Sequence, residues 1–207
     1  QSWNSGAQTL LQKVNSDAKP QIIHSNGKTI MAYLGSADTS IAANNSKLYY
    51  SVLDDNSNHW SAPVAVDSSN QFTDSFELKE TNGNVYLAYV KSNKEYSDNP
   101  SSITEAASNR EIYVTSFNDN SNTFTKSVRL TENDTYDNNV QLTELNGKPA
   151  VVWANNSDNN AFAIKGNNSI WYSVYSEGEW SDAKCLAENI GTLLSLDAGF
   201  VGNTSGA

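Results

Sequence analysis

The dipeptide Asn-Gly occurs three times in this 207-residue chain, as Asn26-Gly27, Asn82-Gly83 and Asn146-Gly147, each time between two short apolar runs. Seven residues after each Asn stands an aromatic: Tyr33, Tyr89 and Trp153. A second aromatic run follows, Leu48-Tyr49-Tyr50-Ser51, Ile112-Tyr113-Val114-Thr115 and Ile170-Trp171-Tyr172-Ser173. Each copy closes on a run opened by Trp60, Phe124 or Trp180. Asn-Gly is the strongest short-range hairpin signal, because a type I′ turn needs positive φ at both central residues.

Each copy therefore reads as four short strands, and the three turns are 56 and 64 residues apart. Four-stranded units repeating at that length point to an all-β fold, a propeller-like array of antiparallel blades. Alternation and turn residues place the first blade's strands at 21–24, 29–34, 48–53 and 60–66. The second has 76–79, 85–90, 111–117 and 124–130, and the third 140–144, 150–154, 170–175 and 180–186. The units divide as 15–67, 68–131 and 132–188. Residues 1–14 read as the closing strand of a preceding blade, with Trp3 and Thr9-Leu10-Leu11, and 189–207 as the opening of a further one, with a strand at 194–201. That makes about three and a half blades. Only 102–109 has helical character, one turn around Thr104-Glu105-Ala106-Ala107. A β-sandwich also has short, evenly spaced strands, but it does not require matched aromatics in a four-strand repeat.

Composition narrows the function. With 13 Lys and Arg against 23 Asp and Glu the net charge is −10, which argues against nucleic acid and anionic membranes as partners. No apolar stretch approaches the ~20 residues of a membrane helix. The single cysteine, Cys185, excludes an intrachain disulfide and reads as a small strand residue. The chain opens on Gln1 and is read as a processed chain or part of a longer protein. Few charges and abundant Asn, Ser and Thr suit an extracellular or surface-attached bacterial protein. Asn44, Asn133, Asn155, Asn167 and Asn203 begin glycosylation sequons, relevant only in a eukaryote.

The turns before the closing strands are Asp54-Asp55-Asn56-Ser57-Asn58, Asn118-Asp119-Asn120-Ser121-Asn122 and Ser176-Glu177-Gly178-Glu179. A hydroxyl residue on strand three, a polar turn and an aromatic opening strand four resemble the Asp-box repeats of sialidase-like propellers, Ser-x-Asp-x-Gly-x-Thr-Trp. Ser173 and Trp180 keep the seven-residue spacing, with Tyr175 where the Asp belongs; Ser51–Trp60 and Thr115–Phe124 are nine apart. The resemblance implies a structural turn, with Trp60, Phe124 and Trp180 packing between blades. Sialidase chemistry would need three arginines, and this chain has Arg110 and Arg129 only. The alternating acids and amides of the turn could coordinate Ca²⁺, but Asp54-x-Asn56-x-Asn58 lacks the Gly and distal Glu of a calcium loop. A solvated turn is the expectation, with no cofactor.

Candidate binding residues lie on the long loops between strands two and three, 35–46, 91–110 and 155–168, since long loops on a rigid scaffold are where binding concentrates. They carry Tyr96, Asp98, Glu105, Asp158, Phe162 and Lys165. Asp17, Asp74, Asp137 and Asp197 precede the inner strand of successive units and are candidates for an acidic ring at the channel mouth, or for caps of the entry turns. Tyr33, Tyr89 and Trp153 read as core. The expected function is a non-catalytic extracellular binding or adhesion module for a carbohydrate or protein ligand, with a second chain as a candidate to complete the ring. The alternatives are part of a glycoside-acting propeller enzyme, which needs a carboxylate pair about 5–10 Å apart in a pocket, and a structural spacer.

Overall fold

A computed structural model describes residues 8–10, 19–37, 39–162, 166–193 and 195–199. Three antiparallel sheets follow one another, one per repeat. The first contains β1 (Gln21–Ser25), β2 (Lys28–Gly35), β3 (Lys47–Asp54) and a fourth strand broken into β4 (His59–Trp60) and β5 (Val64–Ala65). The second contains β6 (Thr73–Thr81), β7 (Asn84–Ser92), β8 (Arg110–Asn118), β9 (Thr123–Phe124) and β10 (Val128–Arg129). The third contains β11 (Tyr136–Leu145), β12 (Lys148–Asn156), β13 (Asn168–Ser176), β14 (Glu179–Trp180) and β15 (Lys184–Ala187). Consecutive strands are neighbours in every sheet, and β4/β5, β9/β10 and β14/β15 each pair with the same third strand. These are three four-stranded blades of a partial propeller, as the repeat predicts.

The Asn-Gly turns take the type I′ form. Asn26, Asn82 and Asn146 have φ of 50–53° and the following glycines 72–76°, a conformation that glycine and asparagine tolerate best. The break in strand four has an equally local cause. The residue after each opening aromatic is Ser61, Thr125 or Ser181, and its hydroxyl accepts the backbone N–H of Val52, Ser116 or Val174. A side chain thus takes a place in the ladder, and the strand resumes three residues later.

Blades meet through alternate residues of their strands. Ile30, Ala32, Leu34, Leu48 and Tyr50 of the first pack on Phe76, Leu78, Val85, Leu87 and Tyr89 of the second. Ala88, Val90, Ile112 and Val114 of the second pack on Val140, Leu142, Val151 and Trp153 of the third. Each fully buried apolar side chain contributes about 1.5–3 kcal/mol. Tyr33, Tyr89 and Trp153 are all buried. Phe124 meets Tyr50 edge-on and Trp180 meets Tyr86 edge-on, so these closing aromatics pack between blades.

The inner strands lie side by side with one edge unpaired, and side chains from the neighbouring blade occupy it. Gln21 donates to the Phe76 carbonyl at 3.2 Å and accepts from the Leu78 N–H at 2.7 Å. Glu77 accepts from the Leu142 N–H at 2.5 Å, and Lys79 donates to the Leu142 carbonyl at 2.9 Å. At the turns, Asn26 donates to the Gly83 carbonyl and Asn82 to that of Gly147, at 2.8 and 2.6 Å. This also blunts the strand edges against stray pairing.

The expected strands at the two ends differ from what is seen. Residues 8–10 form no strand; instead the Gln8 amide brackets Trp60, donating to its carbonyl and accepting from its N–H. Residues 195–199 form no strand either, and the remainder of both expected strands lies outside the described residues. The helical turn is present as α1 (Ile103–Ala107), its first turn capped by Ser102 Oγ accepting from the Glu105 N–H. Cys185 is half-buried on β15, and burial pushes its thiol pKa up.

Candidate functional site

The inner strands of the second and third blades are not regular. The register of β6 against β7 skips Asp74, between Thr73 and Ser75, and that of β11 against β12 shifts between Asn138 and Gln141. Asn139, inside the second irregularity, has φ of 50°. A β-bulge bends its strand and re-aims a side chain that the ladder would otherwise have fixed. Here the two bulges, with Gln21 of β1 and the tip of the β12–β13 loop, enclose a cavity of about 430 Å³. Its walls carry the amides of Gln21, Asn138, Asn139 and Gln141, the carboxylate of Asp74, the Tyr136 phenol and the rings of Phe76 and Phe162. Lys19 and Leu193 also line it. The volume suits a small ligand, and a wall of amides, one acid and aromatic rings suits a neutral, polyhydroxylated one.

Asp74 is held from behind. Its Oδ2 lies 4.0 Å from Arg110 Nε, and the Arg110 guanidinium covers the Phe72 ring at 4.5 Å. Arg110 is buried, its Nη1 has no hydrogen-bond partner among the described residues, and burial lowers its pKa. The guanidinium remains charged and stands behind Asp74 on the side away from the cavity. Burial pushes the Tyr136 phenol up to about 12, so it serves the cavity as a neutral hydroxyl.

Asp137, between Tyr136 and Asn138 of this wall, faces the opposite way. It is fully buried, accepting from Asn155 Nδ2 at 2.8 Å and Asn133 Nδ2 at 3.2 Å. Burial pushes its pKa up to about 7 against the pull of those hydrogen bonds, and the Glu111 charge adds to the rise. Glu111 is itself buried, held by Arg129 at 2.8 Å, Thr131 Oγ1 at 2.5 Å and the Asn133 N–H at 3.0 Å. The cluster ties the connection between the second and third blades to β8.

The three ring candidates among the described residues, Asp74, Asp137 and Asp197, share no common site. Asp74 reaches the cavity, Asp137 is sealed beneath it, and Asp197 is exposed on 195–199; burial raises the pKa of half-buried Glu77, and the Asp197 charge adds a little to that rise. Asp17 lies outside the described residues, as does Lys165.

Of the loop candidates, Phe162 lines the cavity and is 67% exposed. Three others hold the loops together instead. Tyr96 is buried: its backbone N–H and carbonyl both bond the Asn44 amide, and its hydroxyl donates to the Glu105 carbonyl. It also lines a second cavity, about 520 Å³, between the first two long loops. The side chains there are engaged with one another, Lys47 with Asn70 and Asn70 with Glu95. Glu105 accepts from the Ser101 N–H and hydroxyl at the start of α1, which hold its carboxyl below the usual range. Asp158 accepts from the Asn167 N–H and closes the β12–β13 loop. Asp98 is exposed, outside both cavities.

Sequence reading overlooked Gln21, Tyr136, Asn138, Asn139 and Gln141. One signal was available: Asp74 lies eight residues before its turn asparagine and Asp137 nine before its own. That unequal spacing puts the two acids at different register positions.

No family model matches this chain, and no curated protein is detectably similar. Solved structures are similar in fold. An endo-arabinase from Bacteroides thetaiotaomicron aligns with a TM-score of 0.53 at 14% identity, covering 87% of this chain and 65% of its own. A thermostable family-43 glycoside hydrolase aligns with a TM-score of 0.51 at 15% identity, covering 80% of this chain and 53% of its own. The chain thus spans between half and two thirds of the propellers it matches, and at these identities the likeness is one of fold.

Proposed function

We propose that this chain is a carbohydrate-binding propeller module, taking a neutral saccharide unit into the cavity between its inner strands. The observation that carries this reading is the cavity wall itself: the amides of Asn138 and Asn139, the Asp74 carboxylate and the Tyr136 hydroxyl beside the exposed Phe162 ring. Amides and carboxylates supply the paired donors and acceptors that vicinal hydroxyls need, and a ring face covers the apolar side of a sugar. Two propellers of this fold are described as an endo-arabinase and a family-43 glycoside hydrolase, so the scaffold serves glycan ligands elsewhere. We read this module as non-catalytic. Asp74 is the acid in the cavity wall, while Asp137 is shut in by amides and buried. The setting we infer is extracellular, on a bacterial surface or in a secreted protein. The Asp-box likeness enters as turn structure: Asp54 and Asn118 each accept backbone N–H groups two and three residues ahead.

The test is calorimetric titration with a panel of neutral oligosaccharides, arabino-oligosaccharides included, alongside an assay for their hydrolysis. Binding without hydrolysis is expected. Asp74→Asn should weaken binding about tenfold or more, the effect of losing a charged hydrogen bond of about 1.5–3 kcal/mol. Phe162→Ala should weaken it without altering the fold. Failure of every saccharide to bind at millimolar concentration refutes the reading.

A further inference from the structure

The two contacts between blades are made by the same positions, and all of those positions recur on the third blade. Tyr50, Val114 and Tyr172 pair with Ala32, Ala88 and Val152, each six residues after its turn asparagine. Val66, Leu130 and Leu186 each lie six residues after Trp60, Phe124 and Trp180. Gln21, Glu77 and Gln141 occupy one position on the inner strands, and Asn26, Asn82 and Asn146 one position in the turns.

In the first two blades every one of these faces the next blade and is engaged. Leu48, Tyr50, Ile112 and Val114 are buried, with Val66 and Leu130 packed against them. Gln21 and Glu77 hold the neighbouring strand edge, and Asn26 and Asn82 hold the neighbouring turn. On the third blade the same face is open. Ile170 and Tyr172 are half-buried, Leu186 is 65% exposed and Leu145 is 43% exposed. The Gln141 and Asn146 side chains make no hydrogen bond among the described residues. The residues of this face that are buried are small or polar: Ala150 and Ala154, with Thr143, Asn156 and Asn168. Among the described residues no strand lies beyond β15.

We propose that this face of the third blade is a docking surface for a further four-stranded antiparallel blade of the same pattern. Its occupant offers an unpaired inner-strand edge to Gln141, a hairpin-turn carbonyl to Asn146, and an aromatic pair on strands three and four to Tyr172, as Phe117 and Phe124 do to Tyr50. The inference continues an interface that the chain already makes twice. A second copy of this chain is the poorer fit, because Met31 and Tyr33, with which its first blade would receive Tyr172, are already buried and Ile22 alone of that apolar set is exposed. An exposed apolar face with a spare amide at each end is otherwise a liability for association.

The probe is the full chain carrying, behind Ala207, an additional copy of residues 68–131, the blade that receives Tyr50. Amide hydrogen exchange along 168–176 is expected to slow by about tenfold or more relative to the unextended chain, as for a strand moved from an edge unit to an interior one. Tyr172→Lys or Leu186→Lys should abolish that slowing, yet leave the unfolding midpoint of the unextended chain within about 2 °C. Unchanged exchange in the extended chain overturns the proposal. So does a large loss of stability from Leu186→Lys in the unextended chain, since the face would then already be packed. A dimer of the unextended chain that Leu186→Lys dissociates would show the occupant to be a second copy instead, and overturn it equally.

Discussion

Asp137 makes the stability of this protein depend on pH in a direction opposite to that of most carboxylates. A free aspartate ionises near its ordinary value of 3.8, whereas the buried one does so at about 7. Between those values the unfolded chain has released its proton and the folded chain has not. Stability from this group is therefore complete below pH 4 and is lost as pH rises through 7. The window is roughly three pH units at 1.4 kcal/mol each, so the loss approaches about 4 kcal/mol.

Asp137→Asn removes the titration. The new amide also places an NH2 group against Asn133 or Asn155, both donors to the present carboxyl, at a pH-independent cost of about 1–3 kcal/mol. The two effects separate by pH. At pH 4.5 the variant should be the less stable protein. At pH 7.5 the difference should shrink to nothing or reverse, because only the parent now confines a charge beside Glu111. Urea unfolding of both proteins at pH 4.5, 5.5, 6.5 and 7.5 measures this directly, and taking the difference cancels carboxylates not coupled to Asp137. A parent-minus-variant difference constant to about 0.5 kcal/mol across that range would refute the reasoning, and with it the idea that Asp137 is sealed from water.

Two further predictions concern the scaffold. Asn82 both accepts a left-handed backbone and donates to the Gly147 carbonyl. Asn82→Asp keeps the first property and should cost about 1 kcal/mol, while Asn82→Ala loses both and should cost about 2, read from urea midpoints. Gly166 has φ of 118°, and a Cβ there would lie 2.6 Å from Asp158 Oδ2. Gly166→Ala should cost about 1–3 kcal/mol, and a double-mutant cycle with Asp158→Ala should recover the contact but not the backbone strain.

The parts of this fold that were legible in sequence are those fixed by local chemistry. Asn-Gly determines the turn, and the alternation on either side determines which residues point toward the next blade. The bounds of the long strands follow within a few residues. The break in strand four is a difference from the sequence reading: alternation predicts one continuous run, and the Ser61, Thr125 and Ser181 hydroxyls interrupt it. Loop residues were less readable. An exposed aromatic and a structural one look the same in sequence: Tyr96 is fixed by the amide of Asn44, fifty-two residues away, and nothing near either residue announces the pairing. Asp158 and Glu105 are equally hard to read from sequence. Each in fact satisfies backbone N–H groups of its own loop, a demand that any loop imposes once it leaves the ladder.

The cavity follows from the same rule applied to the inner strands. In a regular ladder each residue gives its side chain to one blade interface or the other, and none is left for the axis. One extra residue in β6 and one in β11 break that assignment. On the first, Asp74 is released toward the axis while Thr73 stays buried; on the second, Asn138 and Asn139 turn inward while Asp137 stays buried. The acid on one strand and the acid on the other thus have opposite environments, although both were placed at a blade entrance by the sequence. Position along a bulged strand, rather than residue type, decides which carboxylate meets solvent and which is held near neutrality. The site is therefore sensitive to single-residue insertions or deletions in 73–76 and 137–141 in a way that the blade cores are not.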